Sequence, residues 1–159
     1  VRESGRTDLL HPPGLIRFRD PGQILTAETQ NQTDSLAVAE EALKDGAVNG
    51  GALPFVVIEI TRPLNLREGR RLQLAAKAGG TTGLCLIPEG MGSNAAETRW
   101  RATPLLDVHR EDSTLMHWEI IKNKSGTLGG WNVRWDRETR CVHVVSPPAL
   151  RADSAAAPG

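Results

Sequence analysis

The sequence predicts an α/β fold in which parallel strands joined by crossover helices are followed by an antiparallel β extension. Three observations predict it. Between residues 23 and 87, short apolar runs of β-forming residues alternate with two helical patterns. Cap chemistry stands before each of those helices. Beyond residue 98, strand-like runs follow one another with no helical pattern between them, and all four tryptophans lie in that stretch.

The elements follow in chain order. Residues 1–22 read as an irregular segment, punctuated by Pro12, Pro13, Gly14, Pro21 and Gly22. Gln23–Ala27 (QILTA) reads as a short strand. Asn31–Asp34 offers cap chemistry, with Thr33 or Asp34 as the N-cap. Leu36, Ala39, Ala42 and Leu43 then recur at helical spacing, and Gly46 can close that helix. FVVIEI, residues 55–60, opens with four consecutive apolar residues, as a strand buried on both faces does. Asn65 and Glu68 have capping-box spacing. The helix they open runs from about Leu66 to Ala78. It gathers Leu72, Ala75, Ala76 and Gly79 on one side and Arg67, Arg70, Arg71 and Lys77 on the other. GLCLI, residues 83–87, is the next parallel strand. Thr98–Thr103, Leu115–Ile121, Gly130–Trp135 and Cys141–Val145 form the antiparallel series. Residues 23–146 are thus expected to fold, and the Pro/Ala-rich residues 147–159 to form a disordered tail.

Two crossovers running the same way place both helices on one face of the parallel sheet. The other face is then bare. FVVIEI is too apolar for a solvated face, so an upstream segment or a partner is expected to cover it, and the chain reads as part of a larger fold.

Composition narrows the function. The 159 residues fit one domain or at most two small ones. Nineteen basic and nineteen acidic side chains cancel, which argues against a bulk electrostatic nucleic-acid binder but leaves room for a local patch. No apolar run is long enough to span a membrane. The polar start has no signal-peptide pattern. Cys85 and Cys141 do not make a disulfide scaffold, and a cytoplasmic setting is expected.

The motifs carry little catalytic chemistry. No Gly-x4-Gly-Lys-Ser/Thr loop is present to wrap phosphates, and KNKSG (122–126) lacks the preceding glycines. GMGSN (90–94) is a weak anion-loop candidate against the plainer reading of a connector. Glu59 closes an apolar strand where a Walker-B carboxylate would stand; the plainer reading is a hydrogen-bonded strand-end carboxylate. His11, His109, His117 and His143 share no metal-ligand spacing. No catalytic residue, metal or cofactor follows from these residues.

Charge is patterned locally. Residues 61–80 carry five basic and one acidic side chain, and residues 27–45 carry five acidic and one basic. The two faces could meet each other, or Arg67, Arg70 and Arg71 could dock an acidic partner. Arg99, Arg101, Lys122, Lys124 and Arg134 interleave with tryptophans, as in surfaces that track and stack single-stranded DNA. The alternation of Trp118, Trp131 and Trp135 with aliphatics instead favours a core role.

Four segments in order, LAVAEEALKDGAV (36–48), RRLQLAAKAGGTTGLCLIP (70–88), SNAAETRWRATP (93–104) and WEIIKNKSGTLGGWNVRW (118–135), resemble the ImuA family. The resemblance spans about residues 23–136. It implies the C-terminal part of a RecA-like core, with Glu59 at the Walker-B position and no Walker-A loop in this chain. It further implies a non-enzymatic accessory role in SOS-induced, error-prone translesion synthesis. The partners it implies are an ImuB-type relative of Y-family polymerases, RecA and, indirectly, an error-prone C-family polymerase. The alternatives are a fragment of a RecA-type ATPase and a single-stranded DNA-binding module.

Overall fold

The structure is a computed structural model that describes residues 1–4, 14, 16, 18–45, 53–91, 95–107 and 114–145. Gly46, the 92–94 part of the glycine loop, His11, His109 and the 147–159 tail lie outside the described residues. The described residues form an α/β chain in two compact units, 1–96 and 97–159.

The first unit contains β1 (Arg2–Glu3), a 3-10 turn (Pro21–Gln23), β2 (Glu28–Thr29), α1 (Gln32–Asp45), β3 (Phe55–Glu59), α2 (Leu66–Gly79) and β4 (Thr82–Leu86). β1 pairs with β2 and β3 with β4, both in parallel. Val1 joins the two ladders: its nitrogen donates to Val57 O at 2.8 Å, and Glu59 N donates to Val1 O at 3.0 Å. That bond pair is the parallel pattern, so the strands run β2-β1-β3-β4.

Each helix starts for a local reason. Asn31 Oδ1 accepts the Asp34 amide at 3.0 Å, so the cap of α1 is Asn31, ahead of the expected Thr33 or Asp34. At α2 the capping box forms in full: Glu68 N donates to Asn65 Oδ1 and Asn65 N to Glu68 Oε2. Gly80, at φ 62°, ends α2 in the left-handed conformation that glycine adopts without penalty.

Leu36, Ala39 and Leu43 of α1 and Leu72 and Ala75 of α2 bury against Val56, Ile58 and Ile60. Each fully buried Ile or Leu contributes about 1.5–3 kcal/mol of apolar transfer. Both helices therefore share one face of the sheet. β3 is accordingly not buried on both faces. Phe55 and Val57 are 51% and 39% exposed, while Val56 and Ile58, which alternate with them, are buried. With the helices on one side, alternation sends Val56 and Ile58 into the core and leaves Phe55 and Val57 partly exposed.

Two further expectations change. The segment 1–22 is not irregular throughout, because Arg2–Glu3 forms a ladder. QILTA is not a strand: Gln23 belongs to the 3-10 turn, and pairing begins at Glu28, where Arg2 N has taken Ala27 O.

The second unit is a four-stranded antiparallel meander in the order β5-β6-β7-β8. Its strands are β5 (Thr98–Pro104), β6 (Leu115–Asn123), β7 (Gly129–Asp136) and β8 (Cys141–Val144). The register shifts between Arg99 and Trp100, leaving Ile121 unpaired as a bulge.

Candidate functional site

In an open parallel α/β sheet, ligands enter beyond the carboxyl ends of the strands where strand order reverses. Here that point lies between β1 and β3. It is filled by Gln32, which is 2% exposed. Its Oε1 accepts the backbone amides of Thr61 and Arg62 at 2.9 and 2.8 Å, and its Nε2 donates to Arg62 O at 3.1 Å. Thr61 Oγ1 lies 3.0 Å from Glu3 Oε1 and 3.1 Å from Gln32 Oε1. The crevice is thus stapled shut by side-chain hydrogen bonds. Glu59 ends β3 as expected, but alternation turns its side chain to the opposite face of the sheet from Glu3 and Gln32. There it lies 3.8 Å from the Nε of Arg2. Gln32, Thr61 and Glu3 carried no signal in the sequence, because the clamp joins positions about thirty and sixty residues apart.

The basic helix meets the acidic one. Arg71 pairs with Glu40 of α1, and Lys44 reaches Glu40 and Glu41. The hydrogen bond from Lys44, followed by that from Arg71, holds the Glu40 carboxyl below its ordinary range. Arg70 donates to Gln73 on its own helix, and Arg67 is exposed. Of the three arginines expected to dock a partner, Arg71 is therefore committed inside the unit, and Arg67 and Arg70 face outward.

The face of the sheet away from the helices carries Phe55 and Val57 of β3 and Leu84 and Leu86 of β4, which are 51%, 39%, 41% and 51% exposed. The register places Val57 opposite Leu84 and Glu59 opposite Leu86, so the four apolar side chains form one continuous patch. β4 is the outer strand among the described residues. Thr82 N donates to Pro54 O, and Ile60 N to Leu86 O. In a parallel ladder this phase turns the backbone groups of Gly83 and Cys85 outward.

In the second unit the register sorts the residues that sequence reading had interleaved. Trp118 stands opposite Trp131, Met116 opposite Val133, and Trp135 opposite Val142. These residues, with Trp100, Ile120 and Val144, share one face. Trp100 lies edge-on to Trp118 at 6.4 Å and tilted over Trp131 at 6.1 Å. The other face holds Arg101 opposite Glu119, His117 opposite Asn132, and Arg134 opposite His143. Arg101 bonds Glu119, Lys124 pairs with Glu97, and Arg134 bonds Asp107 at 2.6 Å. Arg99 stands directly opposite Lys122. Burial, then the charges of Lys124 and Arg99, lowers the Lys122 ammonium from its ordinary range. Of the five cations predicted to track phosphates, Arg99, Arg101, Lys122 and Arg134 are thus on the opposite face from the tryptophans predicted to stack bases, and Lys124 lies just past the end of β6.

A cleft of about 280 Å³ is lined by His117, Glu119, Ile120, Ile121, Leu128, Gly129 and Gly130. Its polar groups are already engaged. His117 Nδ1 lies 2.8 Å from Asn132 Oδ1, and Glu119 holds Arg101. Among the described residues, no group of three or more His, Cys, Asp or Glu side chains could hold a metal ion. Also among them, no helix is long and apolar enough to cross a membrane.

The geometry defines two units: a small α/β unit with an open apolar sheet face, and an antiparallel sheet. No protein-family model, curated protein or solved structure matches the chain.

Proposed function

We propose that this protein is a non-enzymatic accessory factor in SOS-induced, error-prone translesion DNA synthesis, recruiting or regulating an ImuB-type polymerase partner and RecA through its α/β unit. The reading takes that unit as the C-terminal part of a RecA-like core. It rests on the four ordered segments that resemble the ImuA family. The observation that carries it is the open apolar face of Phe55, Val57, Leu84 and Leu86: side chains of this kind bury against protein. The filled switch point favours docking over nucleotide chemistry at Glu59.

The test is damage-induced mutation frequency in the source organism. Deleting the gene is expected to abolish induced mutation and spare spontaneous mutation. Wild-type protein restores it, and Phe55→Ser, which removes a half-exposed ring of the open face, does not. Unchanged induced mutation in the deletion strain overturns the role.

One observation favours a second reading, contact with the phosphates of single-stranded DNA. Like charges set directly opposite each other destabilise a sheet, and Arg99 and Lys122 are so placed. Glu97 partly offsets that repulsion, and a bound polyanion would offset it further. Oligonucleotide affinity should then fall steeply with salt, and Lys122→Gln should flatten the slope by about one charge. A salt-independent affinity refutes this reading.

A further inference from the structure

The layer formed by α1 and α2 is divided by charge on its outer side. Both helices pack on one face of the sheet, so each shows solvent the side opposite its buried residues. On α1 that side carries Asp34, Val38, Glu41 and Asp45 at helical spacing. On α2 it carries Arg67, Arg70, Leu74 and Lys77. All of these are exposed, Val38 by 39% and Leu74 by 50%. The Arg71–Glu40 pair that joins the helices uses neither stripe. Both helices are crossovers between parallel strands, so they run the same way. Gly79 lies against the backbone of Leu43 and Lys44, which fixes their relative height. At that height Arg70 is level with Asp34, Leu74 with Val38 and Lys77 with Glu41. Acidic and basic stripes thus carry the same spacing, each with one apolar side chain at its middle.

We infer that two copies of this chain pair through this helix layer, about a two-fold axis parallel to the helices, so that α1 of each copy lies on α2 of the other. Rotation about that axis exchanges the two helices and preserves height. Asp34 then meets the partner's Arg70, Glu41 meets the partner's Lys77, and Val38 and the partner's Leu74 bury together between them. Every contact occurs twice, as an isologous interface requires. Charge selects both the axis and the occupant. A two-fold across the helices would set acid on acid and base on base. A partner of one charge sign, whether an acidic protein, a nucleic acid or an anionic membrane, would be attracted by the α2 stripe and repelled by the α1 stripe beside it. A second copy of the chain answers both. Two 14-residue helices side by side offer about 400 Å² per copy, less than a standard interface, so the dimer is weak and salt-sensitive. The helix layer and the open apolar face are opposite sides of the sheet, so this inference stands apart from the docking reading, and both surfaces can be occupied together.

Sedimentation equilibrium of the full chain tests it. A dimer with a dissociation constant of roughly 10–100 μM is expected in about 50 mM salt. Raising the salt to about 1 M shortens the screening length to about 3 Å and should weaken the dimer at least about tenfold. Arg70→Glu with Lys77→Glu, and separately Asp34→Lys with Glu41→Lys, should each leave a monomer, because each sets like charges across every contact. An equimolar mixture of the two double variants should dimerise again, since each stripe then faces its opposite. All four changed side chains are exposed, and helical circular dichroism confirms that each variant is folded. Restored pairing in the mixture requires two folded chains, so loss of fold cannot imitate it. Leu74→Asn, which leaves the charges alone, should weaken the dimer about tenfold should the α1 variant disturb its helix. A chain that stays monomeric at about 500 μM overturns the inference. A dimer that survives either double variant overturns it, as does a mixture of folded variants that stays monomeric. A dimer insensitive to these changes and lost in Phe55→Ser assigns the pairing to the open sheet face and overturns it too.

Discussion

Gly79 packs α2 against the backbone of the last turn of α1, and replacing it with Ala tests the packing of the first unit. In most helix positions Gly→Ala stabilises by about 1 kcal/mol. Here an added Cβ would lie 1.9 Å from Leu43 O, 2.9 Å from Leu43 C and 3.0 Å from Lys44 O. The first distance is about 1 Å inside the closest approach that Cβ atoms keep. The obstacle is backbone, so no side chain can rotate away, and the helices must separate. Separation loosens Leu43, which is 1% exposed and also lies over Gly83 of β4. Overpacking of this kind costs about 1–3 kcal/mol and more where backbone must move, so a net loss near 3 kcal/mol is expected after the propensity gain. For a unit of this size that lowers the midpoint by roughly 10–20 °C. Helical circular dichroism of the full chain during a thermal melt reads it, because both long helices of the described residues lie in the first unit. Gly80→Ala is the control. It meets nothing within 4 Å, and its cost is that of a non-glycine residue at φ 62°, about 1–2 kcal/mol. A Gly79→Ala chain as stable as wild type, or less affected than Gly80→Ala, would refute the close packing of α1 on α2.

Two other outcomes follow from titration and exposure. Lys44 and Arg71 depress the Glu40 carboxyl, so its contribution to stability is complete above the ordinary value of 4.5 and is lost as pH falls through the lower folded value; Glu40→Gln should flatten the acid limb of a stability–pH curve, and an unchanged limb counts against the triad. Burial raises the Cys85 thiol, whereas Cys141 is exposed; Ellman's reagent should therefore modify one thiol at least about tenfold faster than the other in native protein and both together in denaturant, and equal native rates would contradict the placement of Cys85.

The helices were legible because their signals are local. Asn65 and Glu68 sit three residues apart and need no partner elsewhere, and the small-residue stripe of α2 reads off one period. The meander was legible for the same reason, since each turn separates adjacent strands. What stayed hidden depends on distant partners. Arg2–Glu3 is a two-residue strand of charged side chains, and nothing within it marks pairing with Glu28–Thr29. Gln32 reads as one more polar residue before a helix, although its amide closes the crevice of the sheet. The cation–tryptophan interleaving was visible, but which face each side chain takes depends on register and on one bulge at Ile121.

The run FVVIEI shows why the remaining step needed the structure. Consecutive apolar residues cannot reveal alternation, so the segment reads as buried on both faces. Among the described residues the helices cover one face, and on the other Phe55 and Val57, with Leu84 and Leu86 beside them, stay partly exposed. A solvated strand face that served no purpose would tolerate Thr, Lys or Glu at these positions, as β-propensity and solubility both allow. Four apolar side chains at matched register instead mark a face that buries against protein. The excess apolarity that the sequence could only flag is thereby tied to one face of the sheet and one orientation of side chains.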